Sequence, residues 1–214
     1  MWLMEVNVIK DKNDTKNRIL QVSLDLFSLR GYSSVSIRDI CGKVGIKESS
    51  VYHHFKSKQD IFDVLCNSFT ETLYALPQAF SVEMQKVTSV KDEEFIFVCQ
   101  SFVNDYLMNE KINKFIRMLI IEQGTNVQAA ELYHRVLFDD ALAGQKVIYQ
   151  WLVNIGFLRN SDVDMMVMEY YSHVIYLFHR YLAAGEITAG IRAEVNRSLL
   201  RHIQNFLAKY KKVD

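Results

Sequence analysis

The chain is predicted to be all-α, and three observations lead there. Its 214 residues hold 8 Gly and a single Pro, Pro77, which is too little turn punctuation for a protein built of many short strands. Half of the residues are hydrophobic, enough to fill a core and to argue against disorder. Apolar residues recur at spacings of three and four, the period of an α-helix, rather than alternating as in a strand.

Asp14 or Thr15 can cap a first helix in which Ile19, Val22, Leu26 and Leu29 repeat at helical spacing, with Phe27 widening the stripe and Gly31 placed to end it near Arg30. Ser36 and Asp39 then form a capping box, and Ile37, Ile40, Cys41 and Val44 predict a very short second helix. Gly45 follows where a tight turn needs positive φ, and Ile46 is placed to plug the angle before a third helix, Glu48 to His54, that buries Val51 and Phe55. Ser57 and Asp60 repeat the capping-box spacing and open a fourth helix with Ile61, Val64, Leu65 and Phe69 on one side, ended or kinked by Pro77 near Leu76. No Gly/Ser-rich linker precedes that helix, so it is expected to belong mechanically to the parts on both sides of it. Further helices are expected near 91–109, 111–123, 126–156, 162–184 and 193–210.

A zero net charge hides an asymmetry. Residues 1–58 hold 10 Lys+Arg against 6 Asp+Glu, a net +4, so the remaining residues carry −4. A basic head on an acidic body fits a polyanionic partner at the head. A short helix, a glycine turn and a second short helix within about 20 residues is the arrangement that seats a helix in a DNA major groove.

The segment GYSSVSIRDICGKVGIKESSVYHHFKSKQDIF, Gly31 to Phe62, makes this specific. Phe27 and Gly31, the run Ser36 to Ile40, Val44-Gly45-Ile46, Val51 to Phe55 and Ser57-Lys58 closely resemble the signature of the TetR family of transcriptional regulators. The resemblance implies an N-terminal three-helix helix-turn-helix DNA-binding domain, residues 1–58, followed by a helical ligand-binding and dimerisation domain, residues 59–214. It further implies a sequence-specific regulator, a repressor released from double-stranded operator DNA by a small ligand. The alternative within the family is an activator or an architectural or division factor that takes no small ligand.

The chemistry of the segment is consistent with that role on its own terms. Lys47, Ser49, Ser50 and His53 are expected on the outer side of the third helix, able to bond phosphate oxygens or base edges, and Tyr52 adds a phenol within reach of phosphate. Lys58 and Ser36 begin their helices, where a side chain and the unpaired N–H groups can act together on a phosphate. Ser36 and Ser57 are also fully explained as caps. Glu48 is expected either to point away from the DNA backbone or to accept from a cytosine amine. Where the family commonly has a small hydroxyl residue at Lys47 and a glycine near Ser49, this chain reads Ile46-Lys47-Glu48-Ser49-Ser50, so base preference does not carry over.

In the body, Val163, Val167, Tyr170, Val174, Phe178 and Tyr181 make one apolar face, while Met168, Ser172, Ile175 and His179 make another. A helix apolar on two sides must be covered on two sides. With the stripe Val195, Leu199, Ile203, Phe206 and Tyr210, flanked by Leu200 and Leu207, this predicts a homodimer with Ile175, His179, Leu200, Ile203 and Leu207 at the interface. Aromatic and methionine side chains in the middle helices suit a small apolar or aromatic effector, with Phe102, Tyr106, Met118, Glu122, Tyr133 and Trp151 as candidate lining; such residues are also ordinary core.

No hydrolase, metalloprotease or phosphate-loop motif is present, and the histidines are scattered, so no catalytic or metal site and no cofactor is expected. Cys41, Cys66 and Cys99 lack metal or redox spacing and fall in apolar helical patterns, which argues against a thiol sensor. No apolar run approaches the roughly 18 residues of a membrane span, and the start MWLMEVNVIKDKND is quickly charged, so a cytoplasmic protein is expected.

Overall fold

The computed structural model describes residues 14–84 and 87–213, with the side chains of 72–84 left aside. The leader reading of MWLMEVNVIKDK therefore lies outside the described residues. Among the described residues ten α-helices follow in order: α1 Thr15–Arg30, α2 Ile37–Val44, α3 Glu48–His54, α4 Lys58–Met84, α5 Asp92–Ser101, α6 Glu110–Glu122, α7 Val127–His134, α8 Asp140–Asn154, α9 Val163–Leu177 and α10 Ala189–Tyr210. Among the described residues the sole strand-like pairing is an isolated antiparallel bridge between Leu158 and Lys211.

Packing groups the chain into two compact units. One compact unit is Met1–Leu76 with Glu110–His134, and the other is Pro77–Asn109 with Arg135–Asp214. The division falls inside α4, at Pro77. That proline does not end the helix, which runs on to Met84. A proline withholds only its own N–H, and a 27-residue helix retains the bonds on either side of it.

In the first unit α1 lies along α6 and against α2 and α3. Its buried face is Leu20, Ser23, Leu24 and Phe27 together with Ile19, whereas Leu29 of the predicted stripe is 67% exposed. Apolar residues surround α1 on more than one side, and two serines, Ser23 and Ser28, take buried places that a hydropathy pattern assigns to solvent. Asp14 caps the helix by accepting from the Lys16 N–H. Ile61, Phe62, Leu65 and Phe69 of α4 and Ile112, Phe115, Ile116 and Leu119 of α6 are fully or almost fully buried, and Phe69 stacks on Phe115 with ring centres 4.3 Å apart.

The second unit is built on α8, α9 and α10 with α5 against α10. Phe206 gathers Phe95, Tyr149, Tyr170 and Tyr210 around it at centroid distances of 4.9–6.2 Å. Single π-helical turns, Phe102–Leu107, Arg135–Asp139 and Phe178–Leu182, continue α5, precede α8 and continue α9, so the long predicted segments are helical throughout but locally wider. Helix α10 starts four residues earlier than its apolar pattern, because Thr188 caps it by accepting from the Ile191 N–H.

Between α9 and α10, His173 and His202 stack with centroids 4.3 Å apart, His173 on the Ser198 hydroxyl and His202 on the Tyr170 carbonyl. Burial lowers the pKa of both, and the charge of His173 lowers that of His202 further. The unfolded chain therefore takes up these protons first as pH falls. Stability is expected to be full above the ordinary histidine value of about 6.5 and to be lost as pH drops below it. Thermal midpoints read between pH 7.5 and 5 check this, and His202→Phe should flatten the dependence; an equally steep variant would refute it.

Candidate nucleic-acid interface

The head is arranged by local chemistry. At the start of α2 the Ser36 hydroxyl accepts from the Asp39 N–H at 3.1 Å while the Asp39 carboxylate accepts from the Ser36 N–H at 2.8 Å, the expected reciprocal box. The Ser36 hydroxyl also donates to the Asp39 carboxylate at 2.6 Å, and this bond, with that from the Ser36 N–H, lowers the Asp39 pKa. Ile40, Cys41 and Val44 point inward. Gly45 takes φ 78°, ψ 38°, the left-handed turn that lets α3 leave at an angle. Arg18 of α1 donates to the Val44 carbonyl at 2.7 Å, closing the end of α2.

Helix α3 is only seven residues long, with Val51 and Phe55 at 0% and 2% exposure on its inner side. Lys47, Glu48, Ser49, Tyr52 and His53 are exposed, and Ser50 is half-buried. The 53% exposure of the Tyr52 ring leaves its hydroxyl available beyond the protein surface. Glu48 pairs with Arg38 of α2 at 3.4 Å. Arg38 is a residue the motif reading passed over, although its place between the inward Ile37 and Ile40 marks it as outward. With Lys43 and Lys56, also exposed, it adds cations to the same head.

Two site residues sit differently from expectation. Lys58 does not offer its ammonium freely to a phosphate: Nζ donates to the carbonyls of Tyr32 and Val35 at 2.7 Å each and lies 4.2 Å from the centre of the Tyr32 ring. Its pKa is lowered by burial, against the attraction of Glu122 and Asp39. Glu122 is engaged at the turn that follows α1. It is 3% exposed and accepts from the backbone N–H and the hydroxyl of Ser33 at 3.2 and 2.8 Å.

Met118, Glu122 and Tyr133 belong to the first unit and Phe102, Tyr106 and Trp151 to the second. Met118 is fully buried core, and Phe102 stacks on Tyr106 at 5.1 Å, with burial raising the Tyr106 phenol's pKa. Among the interface candidates, Ile203 and Leu207 are 0% and 7% exposed and so already covered within the protomer. They share the inward side of α10 with Leu199 and Phe206, and their apolar character is spent there. Ile175 and Leu200 are half-buried and His179 is exposed. The second apolar side of α9 is on the surface: Met165, Met168 and Tyr176 are 48–59% exposed, beside a shallow depression lined by Ser172, Ile175, Tyr176, His179 and Arg180. Burial raises the pKa of the Cys41 thiol and pushes Cys66 and Cys99 up to about 12, the opposite of a reactive thiolate.

Residues 19–65 match the family described as bacterial regulatory proteins, tetR family. That span holds α1 from Ile19 onward, the reciprocal cap, the turn at Gly45 and α3. Over that span the chain is similar to the tetR family. A relative, the HTH-type transcriptional repressor KstR2 of Mycobacterium tuberculosis, is 35% identical over 63 residues, 29% of this chain and 32% of that protein. The match thus spans about a third of the relative's length. The fold extends further than the sequence likeness: a tetR-family structure from Mesorhizobium loti superposes with TM-score 0.69 at 19% identity, covering 92% of this chain and 96% of that one. A structure of SmeT in complex with triclosan gives TM-score 0.63 at 17% identity over 92% of both chains. Among the described residues no helix is long and apolar enough to cross a membrane, and no His/Cys/Asp/Glu group is arranged to hold a metal ion.

Proposed function

We propose that the chain is a sequence-specific DNA-binding transcriptional regulator, a homodimeric repressor released from its operator by a small apolar or aromatic ligand. The observation that carries this is α3 itself. It is a two-turn helix anchored by Val51 and Phe55, with Lys47, Ser49, Tyr52 and His53 outward, following a glycine turn from a capped α2. The tetR-family match and the repressor name of the KstR2 relative support the regulatory role, and the triclosan complex of SmeT supports a ligand of apolar aromatic character. Such a protein acts by binding rather than catalysis, and it works in the cytoplasm, where operator DNA is. Any ligand that weakens operator binding must itself be weakened by operator to the same factor.

Selection of bound fragments from a random DNA pool tests the reading. The expected product is a pair of inverted half-sites whose centres lie about one helical turn, ~34–36 Å, or a multiple of it apart. Affinity for that fragment should fall roughly 10³-fold or more between 50 and 200 mM salt, as expected for a dimer engaging six or more phosphates. Lys47→Ala and Tyr52→Ala should weaken binding to all sequences, while Ser50→Ala and His53→Ala should also change which bases are preferred. If Lys47→Ala and Tyr52→Ala together left affinity intact, α3 would not be the recognition helix.

A further inference from the structure

The turn between α1 and α2 is gripped from two sides by residues that arrive from elsewhere in the first unit. From the end of α6, 89 residues along the chain, the buried Glu122 carboxylate accepts the Ser33 N–H on Oε1 at 3.2 Å and the Ser33 hydroxyl on Oε2 at 2.8 Å. From the start of α4, the Lys58 ammonium donates to the Tyr32 and Val35 carbonyls at 2.7 Å each. An anion takes donors of the turn and a cation takes acceptors, so the Ser33 N–H and the Tyr32 and Val35 carbonyls are satisfied by charged side chains. The residue immediately after this turn is Ser36, the N-cap of α2. The turn therefore sets where α2 begins, and through Gly45 where α3 points.

We infer that Lys58 and Glu122 are positioning residues for DNA recognition, a two-sided clamp on the Tyr32–Val35 turn, rather than a phosphate contact and a ligand contact. The inference rests on the DNA-binding reading above. Two of the three ammonium hydrogens of Lys58 are committed to carbonyls and its charge lies over the Tyr32 ring, so it has little to exchange for a phosphate. A clamp of this kind acts by preorganisation: a turn that is already ordered spares the complex the cost of ordering it on binding.

The two roles leave different marks on salt dependence. A side chain that neutralises a phosphate contributes about −0.9 to the slope of log affinity against log salt, whereas a positioning residue changes affinity and leaves the slope alone. Affinity for the selected operator fragment is measured by fluorescence anisotropy from 50 to 250 mM KCl, at a temperature where circular dichroism shows every variant folded. Lys58→Met, Ser33→Ala and Glu122→Gln are each expected to bind about three- to tenfold more weakly, with lines parallel to the wild type. Lys47→Ala should flatten its line by about 1. Ser33→Thr, which keeps the hydroxyl, should retain wild-type affinity, and Ser33→Ala combined with Glu122→Gln should lose little more than either alone, since both break the same bonds. Should Glu122→Gln fail to fold, the two Ser33 variants still decide, because Ser33 lies at the surface. Flattening by Lys58→Met equal to that of Lys47→Ala would overturn the clamp in favour of a phosphate contact. Unchanged affinity in Ser33→Ala would overturn it too. A wild type that selects no DNA would overturn both readings, and is told apart by having no slope to compare.

Discussion

Gly31→Ala is expected to lower the thermal midpoint by about 5–12 °C, on the scaling of roughly 2–4 °C per kcal/mol for a chain of this size. Gly31 sits at φ 81°, ψ 152°, a region that glycine alone occupies without strain of about 1–3 kcal/mol. A Cβ there would also lie 2.5 Å from Glu122 Oε1 and 2.9 Å from the Ile121 side chain. The carboxylate would have to leave, and with it the two bonds to Ser33, each worth about 1 kcal/mol or more when a charged acceptor is involved. Gly45→Ala is the comparison, in the left-handed helical region at ψ 38° that other residues enter at smaller strain. It has nearly the same φ, 78°, but nothing stands within 4 Å of its Cβ position, so it should cost only the backbone strain, about 1–2 kcal/mol. Thermal melts of the two variants side by side decide the point; equal losses would mean that the contact with Glu122 contributes nothing.

The larger functional effect is expected at the surface of α9. Met168→Asp and Tyr176→Asp should convert a dimer into a folded monomer and reduce operator affinity by at least about 100-fold, because a single half-site forfeits half of the specific contacts. Both residues are more than half exposed in the protomer, so a charge there faces water in the monomer and costs its fold little. In a dimer the same charge would be buried against its own symmetry mate. Sedimentation and operator titration at the same protein concentration give the two readouts. A wild type that sediments as a monomer at micromolar concentration would refute the dimer, and variants that stay dimeric would place its interface elsewhere. Aspartate at Ile203 is a poor test of the same idea: that residue is fully buried in the protomer, and a charge there would unfold it.

What was legible from sequence was whatever short-range chemistry decides. The reciprocal cap at Ser36 and Asp39, the left-handed Gly45, the limits of α3 and the inward Val51 and Phe55 each depend on residues within a few positions of one another, and the structure has them where the spacing put them. The two-sided character of α9 was legible for the same reason, since a helical period assigns faces without knowing what covers them. The period did not say which residues of a broad apolar stripe meet the protomer's own core. That is why Leu29 came out exposed, and why Ile203 and Leu207 are committed within the chain. Glu122 and Lys58 were the hardest to read. A carboxylate in an apolar helix and a lysine at a helix start look like a ligand contact and a phosphate contact. Their actual partners, Ser33 and the carbonyls of Tyr32 and Val35, are brought to them only when α6 and α4 pack against α1. Sequence determined the recognition motif because its bonds are local; tertiary structure alone decided how that motif is held, because the groups holding it lie 23 to 89 residues away along the chain.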